Sequence, residues 1–153
     1  MRRTLILVSA VAFALAILGA TMSKAADRYI CSPMQGVLVG ADGAPAAGIT
    51  VRRMWNYNDR TENETVTTDA QGRFAFDGVP APRKRWFSGL STPVVLQRYY
   101  AALPGGEEEI LYINSGSLDP LHETGGAPFS VTCDLRETPG NGPLGWGYCS
   151  LNK

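Results

Sequence analysis

The chain has 153 residues, a length that suits one domain with one buried core. Its 14 Lys and Arg residues balance its 14 Asp and Glu residues, which argues against the basic surface that nucleic-acid binding requires. It contains one histidine and three cysteines, too few for the usual catalytic metal sites. We therefore expect no nucleic-acid partner, no metal and no cofactor.

The N-terminus has the three parts of a cleavable secretory signal. Arg2 and Arg3 precede an apolar run from Leu5 to Ala20, and Ser23-Lys24-Ala25 places small residues at the −3 and −1 positions. The apolar run is shorter than the roughly 20 residues that span a bilayer. We expect cleavage after residue 25, a single domain over residues 26–153, and release into the periplasm without stable membrane insertion.

The rest of the chain has the pattern of an all-β protein. Its 17 Gly and 10 Pro residues separate short runs that are rich in β-branched and aromatic residues. These runs predict strands at residues 34–40, 49–55, 64–68, 73–77, 94–100, 109–113, 129–135 and 146–151. Phe74 and Phe76 point the same way after a tight turn at residues 69–72, so we place both in the core. We predict a single antiparallel β-sandwich of seven to eight strands.

The three cysteines permit one disulfide in an oxidising compartment and leave one thiol over. Cys133 and Cys149 flank Pro-Gly-Asn-Gly-Pro at residues 139–143, a segment that is able to reverse the chain between them. We predict a Cys133–Cys149 disulfide, with Cys31–Cys133 as the alternative.

Residues 36–80 carry a resemblance to a known fold. Gly-Val-Leu-Val at 36–39 is followed by Asp-Gly-Ala-Pro-Ala-Ala-Gly-Ile-Thr-Val at 42–51 and Thr-Thr-Asp-Ala-Gln-Gly-Arg-Phe-Ala-Phe at 67–76. This order resembles the carboxypeptidase regulatory-like and transthyretin-like β-sandwich group, and it implies that fold. Together with Gly-Gly-Ala-Pro-Phe at 125–129 and Cys-Asp-Leu at 133–135, it is similar to the DUF6795 family of small bacterial proteins. That resemblance covers about residues 33–135 and implies no common activity.

Catalytic patterns are weak. Asp119, His122 and Glu123 lie close in sequence, but their spacing fits no recognised metal site, and we assign them to a surface loop. No serine lies in a Gly-x-Ser-x-Gly turn, and Cys133 lies on an alternating apolar strand. We expect the protein not to be an enzyme.

The candidate binding residues are cations and large aromatics in loops. Arg83, Lys84, Arg85, Trp86 and Phe87 follow one another in a long loop that connects two predicted strands. Arginine and aromatic side chains dominate protein interfaces, so we assign this segment to protein binding. We add two further aromatic candidates on the same grounds, which are Trp55 with Tyr57, and Tyr99 with Tyr100.

These features indicate an exported periplasmic binding protein. The most specific hypothesis is an immunity protein that neutralises a toxic effector acting in the periplasm, such as one delivered by a type VI secretion system. One alternative is a structural or assembly module of the envelope that binds a partner by an edge strand. Another is a module that binds a small ligand or carbohydrate on its aromatic residues.

The first prediction concerns export. Protein made with its natural N-terminus should have an intact mass that lacks residues 1–25, give or take one residue, because the small residues before Ala26 suit signal peptidase. Mass spectrometry of the purified product measures this. A full-length product that remains in the membrane would contradict the assignment.

Overall fold

The computed structural model describes residues 27–83 and 92–153, and its regular structure is almost entirely β. The strands in chain order are β1 (Tyr29–Cys31), β2 (Met34–Val39), β3 (Thr50–Tyr57), β4 (Arg60–Thr67), β5 (Arg73–Phe76), β6 (Val79–Pro80), β7 (Val95–Leu103), β8 (Gly106–Ser115), β9 (Ser130–Asp134), β10 (Gly140–Asn141), β11 (Trp146–Gly147) and β12 (Cys149–Leu151). One short 3-10 helix, His122–Thr124, lies between β8 and β9.

The strands form two packed sheets and one small ribbon. The large sheet has the order β10-β11-β8-β7-β3-β4, and the small sheet has the order β12-β9-β2-β5. Strands β1 and β6 form the separate two-stranded ribbon. The predicted all-β sandwich is therefore confirmed, and it is consistent with the carboxypeptidase regulatory-like and transthyretin-like architecture. One pair, β2 with β9, runs parallel, whereas we had expected antiparallel pairing throughout.

Alternating side chains from the two sheets meet in one core. Along β3 and β7, every second residue is buried, as expected for strands with one face covered and one face wet. Phe74 and Phe76 both point inward, and the Phe76 ring packs edge-on against Tyr99 at 5.9 Å between centroids. The core residues are Met34, Leu38, Val51, Phe74, Phe76, Tyr99, Ala101, Ile110, Leu111, Ile113, Phe129, Val131, Cys133 and Leu144.

One lateral side of the sandwich is closed by a strap, which we define as residues 134–148. The strap leaves the small sheet after β9 and forms the β10–β11 hairpin, in which β11 pairs with β8 of the large sheet. The chain then returns to the small sheet as β12, which pairs with β9. A disulfide between Cys133 and Cys149 joins the two ends of this excursion. The structure thus contains the predicted bridge, and Cys31 is its free, buried thiol.

Two glycines let the strap approach β8 closely. Gly145 and Gly147 have φ of 148° and 144°. A Cβ atom at Gly145 would lie 2.0 Å from the Tyr112 carbonyl oxygen, and one at Gly147 would lie 2.3 Å from that of Ile110. Because the strap crosses between sheets at Tyr148, the strand predicted over 146–151 is in fact two strands, β11 and β12, in different sheets.

The connection between the strands predicted at 49–55 and 64–68 is also shorter than expected. Strand β3 continues to Tyr57 and β4 begins at Arg60, which leaves Asn58 and Asp59 as the two turn residues. Both have positive φ, 51° and 60°, as a two-residue hairpin turn of this kind requires. The tight turn at 69–72 is observed as predicted, with Gly72 donating to the Asp69 carbonyl at 2.9 Å.

The second prediction concerns the core. Phe74→Ala should lower the free energy of unfolding by about 3–5 kcal/mol, because the ring is 5 % exposed and its loss leaves a cavity between the sheets. Urea denaturation followed by fluorescence measures the change. Arg73→Ala is the matched control, since that neighbouring side chain is exposed and should change stability by about 0.5 kcal/mol or less. A loss below about 1 kcal/mol for Phe74→Ala would contradict the placement of the Phe74 side chain in the core between the sheets.

Candidate functional site

One end of the sandwich holds a cleft beside the β1–β6 ribbon. The cleft has a volume of about 380 Å³, within the range of sites that accept a small molecule or a partner's side chains. Its walls are Ile30, Trp55, Tyr57, Asn58, Arg60, Glu62 and Pro82. We call it the end cleft.

The β3–β4 hairpin explains why aromatic and charged residues share this cleft. Trp55 lies opposite Glu62 in the ladder, and Tyr57 lies opposite Arg60. Residues two apart on a strand share a face, so these four side chains belong to the inner face of the large sheet. Trp55 is 7 % exposed, while Tyr57 is half-buried and Arg60 and Glu62 are exposed.

The two charged residues of the end cleft are not neutralised within the described part of the chain. Arg60 and Glu62 take part in none of its ion pairs, whereas four other arginines do. An arginine next to aromatic rings offers planar hydrogen-bond donors and a stacking surface at once. The cleft therefore presents one guanidinium, one carboxylate and an aromatic wall to an incoming group.

Behind the cleft, Arg53 is fully buried and ties several elements together. Its guanidinium pairs with Glu64, donates to the Asp77 carbonyl at 2.5 Å, and donates to the Ser32 carbonyl at 3.3 Å. It also lies 4.8 Å from the centre of the Phe76 ring. One side chain on β3 thus holds the segment after β1, the edge strand β4 and the turn after β5.

A second network of buried hydrogen bonds, centred on Glu123, also holds the cleft end of the sandwich. Glu123 accepts hydrogen bonds at one carboxylate oxygen from the Ser32 amide and from the Gln97 side chain, both at 2.9 Å. Gln97 in turn accepts from the Tyr99 hydroxyl at 2.8 Å, and burial raises the pKa of that phenol. This network joins the 3-10 helix, β7 and the N-terminal segment. The ribbon is therefore fixed to the large sheet by polar contacts and not by apolar packing alone.

His122 and Glu123 differ from their sequence-based assignment to a surface loop, because both side chains are buried. His122 was placed on a surface loop, but its side chain is 3 % exposed and lies 3.5 Å from Glu123. Its Nδ1 atom contacts the Asp119 carbonyl at 2.7 Å, which ties the ring to its own turn. The assignment was wrong because the 3-10 turn folds back under the N-terminal segment, a contact between residues about 90 apart.

The free cysteine, Cys31, lies beside the buried Arg53. Cys31 has no exposed surface, and burial raises the pKa of its thiol to about 12. A thiol that stays protonated is a poor nucleophile and a poor metal ligand. Across residues 27–83 and 92–153, no three His, Cys, Asp or Glu residues are grouped as a metal site would require.

Most of the loop singled out for binding lies outside the described residues. Lys84, Arg85, Trp86 and Phe87 fall in the segment 84–91, so their predicted role stays a prediction. Arg83 is the last described residue before that segment and directly follows Pro82 of the end cleft. The second predicted group, Trp55 and Tyr57, lines the same cleft. Arg83 and the second group therefore lie at the same end of the fold.

A larger opening lies on the side of the sandwich opposite the strap. There β4 and β5 are the outer strands of their sheets, and neither has a further partner strand among the described residues. The opening has a volume of about 500 Å³. Residues from both edges line it, including Val66, Thr67, Arg73 and Phe74.

The third prediction compares two arginines that are adjacent in sequence. Arg53→Ala should cost about 3–5 kcal/mol, because it leaves buried carbonyls without a donor and breaks a pair with Glu64. Arg52→Ala should cost about 1 kcal/mol or less, because Arg52 faces solvent and pairs with exposed Glu107. Equal losses in chemical denaturation would show that Arg53 does not organise this end.

The comparisons with known proteins give one match. A family model described as a domain of unknown function, DUF6795, matches residues 34–138. No curated protein and no solved structure matches the chain. Among the described residues, no helix is long and apolar enough to cross a membrane. Because the family model covers more than half of the sequence, from β2 to the start of the strap, the chain belongs to the DUF6795 family.

Proposed function

We propose that this protein is an exported binding protein without catalytic activity, and that it binds another protein through the end cleft. The observation that carries the proposal is the composition of the cleft wall. It combines Trp55 and Tyr57 with Arg60, which forms no ion pair among the described residues, and arginine, tryptophan and tyrosine are the residues that dominate binding energy at interfaces.

The rigidity of the wall supports recognition. The cleft residues Trp55, Tyr57, Arg60 and Glu62 lie on paired strands, not on a free loop. Buried polar contacts of Arg53 fix the strands behind them. A preorganised surface loses little side-chain entropy when a partner binds, which favours affinity.

The chemistry of the described residues supports a binding role over a catalytic one. The free thiol is buried and protonated, and the single histidine is held against its own turn. Neither lies in the wall of the end cleft. A nucleophile and its base would have to reach a bound substrate together.

The specific form of the proposal is an immunity protein that neutralises a toxic effector in the periplasm. The secretory signal predicted at residues 1–25 and the Cys133–Cys149 disulfide are both compatible with an oxidising compartment. The end cleft would hold an anchoring side chain of the effector. This arrangement would cover the effector's active site without any reaction.

A second function is favoured by the open edges. Strand β4 is eight residues long, pairs with β3 along its whole length without a bulge, and contains no proline or lysine. Long, regular edges of this kind are templates for strand addition by a partner. An envelope assembly module would use that edge instead of the end cleft.

The fourth prediction tests the cleft. A candidate effector, sought among the products of neighbouring genes, is the binding probe, and Tyr57→Ala with Arg60→Ala should weaken its binding at least about thirtyfold, or 2 kcal/mol. Isothermal titration calorimetry measures the affinity, and the melting temperature checks the fold. Arg73→Ala, on the other sheet and also exposed, is the control and should bind like the unaltered protein.

Growth measurements test the immunity form of the proposal separately. Cells that direct the neighbouring effector to their periplasm should survive when they make the unaltered protein and should lose viability when they make the double variant. Equal survival with and without the protein would reject the immunity function. Binding that is instead abolished by a proline within β4, for example Asn63→Pro, would favour the envelope assembly module.

A further inference from the structure

The outer face of the large sheet has the composition of an interface and not of a solvated surface. In register across four neighbouring strands lie Met54, Arg98, Tyr112 and Trp146. Trp146 is one of two large apolar side chains that are exposed in the described part of the chain. Methionine, arginine and aromatic residues are enriched at interfaces relative to other surfaces. We call this surface the broad face.

The outer face of the small sheet provides an internal comparison. Its outward residues are short or polar, among them Gln35, Ala75, Ser130 and Thr132. Such a face is what alternation produces when a sheet simply meets water. The outer faces of the two sheets therefore differ in composition. Large apolar and aromatic residues lie on the outer face of the large sheet but not among these residues of the small sheet.

The cations of the broad face lie over aromatic rings. The Arg52 guanidinium lies 4.4 Å above the centre of the Tyr100 ring, and that of Arg98 lies 5.2 Å above Tyr112. Each stacks on an aromatic ring, as arginines do at protein interfaces. The surface is therefore already ordered before any partner arrives, and a partner would immobilise few side chains.

The charges on the broad face are divided between its two halves. Arg52 and Arg98 lie on β3 and β7, while Glu107 and Glu109 lie on β8. Arg52 pairs with Glu107 at 2.6 Å, where the guanidinium holds the pKa of that carboxyl below its usual value, and Arg98 pairs with Glu109 at 3.5 Å. The two positive and two negative charges cancel, so the face has no net charge with which to select an oppositely charged partner.

We infer that the broad face binds a second copy of this chain. A twofold axis parallel to the strands, between β7 and β8, would place the positive half of each copy over the negative half of the other. Closed two-fold interfaces require such self-complementarity. The aromatic row of Tyr112 and Trp146 would lie near the middle, where interface energy concentrates.

The size of the broad face is adequate for a small, reversible dimer. The four long strands β3, β4, β7 and β8, of eight to ten residues each, project an area of about 500 Å². Their side chains raise the accessible area toward the roughly 600–800 Å² per subunit that small specific interfaces bury. This inference goes beyond the proposed partner binding, and it leaves the end cleft of each copy free.

Sedimentation equilibrium of the purified protein across micromolar concentrations tests the inference. We expect a monomer–dimer equilibrium that Arg98→Glu weakens at least about tenfold, because the new carboxylate faces Glu109 within the copy and across the interface. The double variant Arg98→Glu with Glu109→Arg should dimerise again, because the pair is reversed on both copies. Arg73→Glu makes the same charge change on the small sheet and should leave the equilibrium unchanged.

A second variant guards against loss of folding. Trp146→Ala removes an exposed side chain and should weaken the dimer about tenfold or more while the melting temperature stays within a few degrees. A protein that is monomeric throughout this concentration range would overturn the inference. A dimer that is unaffected by both Arg98→Glu and Trp146→Ala would overturn it as well.

Discussion

The buried guanidinium of Arg53 is the interaction on which the cleft end of this sandwich depends. A cation inside a sandwich is costly unless it is hydrogen-bonded, and here the two terminal nitrogens donate to Glu64 and to the carbonyls of Ser32 and Asp77, while Nε has no partner among the described residues. These acceptors come from three separate parts of the chain. The requirement to satisfy Arg53 therefore draws together the N-terminal segment, the edge strand β4 and the turn that follows β5.

That convergence creates the end cleft. With the β1–β6 ribbon held against the large sheet, the outer part of the β3–β4 hairpin extends past the ribbon and leaves its inner face partly uncovered. Tyr57, Arg60 and Glu62 lie on this uncovered part. At the lateral side, the disulfide-closed strap covers the edges of β8 and β9, while β4 and β5 have no further partner strand in the part of the chain that the structure describes. The fold therefore separates a closed side from surfaces that remain available for binding.

Local patterns in the sequence predicted much of this fold. The alternation around Phe74 and Phe76, the turn at residues 69–72 and the bridge between Cys133 and Cys149 each depend on neighbouring residues, and each is present. The alternation that buries Val51 and Trp55 on β3 also buries Arg53. We did not predict the burial of this arginine.

Other features depend on contacts between distant segments, which a single sequence does not display. The burial of His122 follows from packing of the 3-10 turn under Ser32, and the division of the last strand follows from the crossing at Tyr148. The broad face was also missed, apart from Tyr100. Its row forms only when β3, β7, β8 and β11 come into register.

Hydrogen–deuterium exchange of the protein with and without a candidate effector tests the central proposal, that the end cleft is where a partner binds. We expect slower exchange on binding at residues 55–62 and 80–83, with β9, β12 and β5 unchanged. Protection confined to the small sheet, or protection of the β4 edge without any change at Trp55 and Tyr57, would contradict the claim.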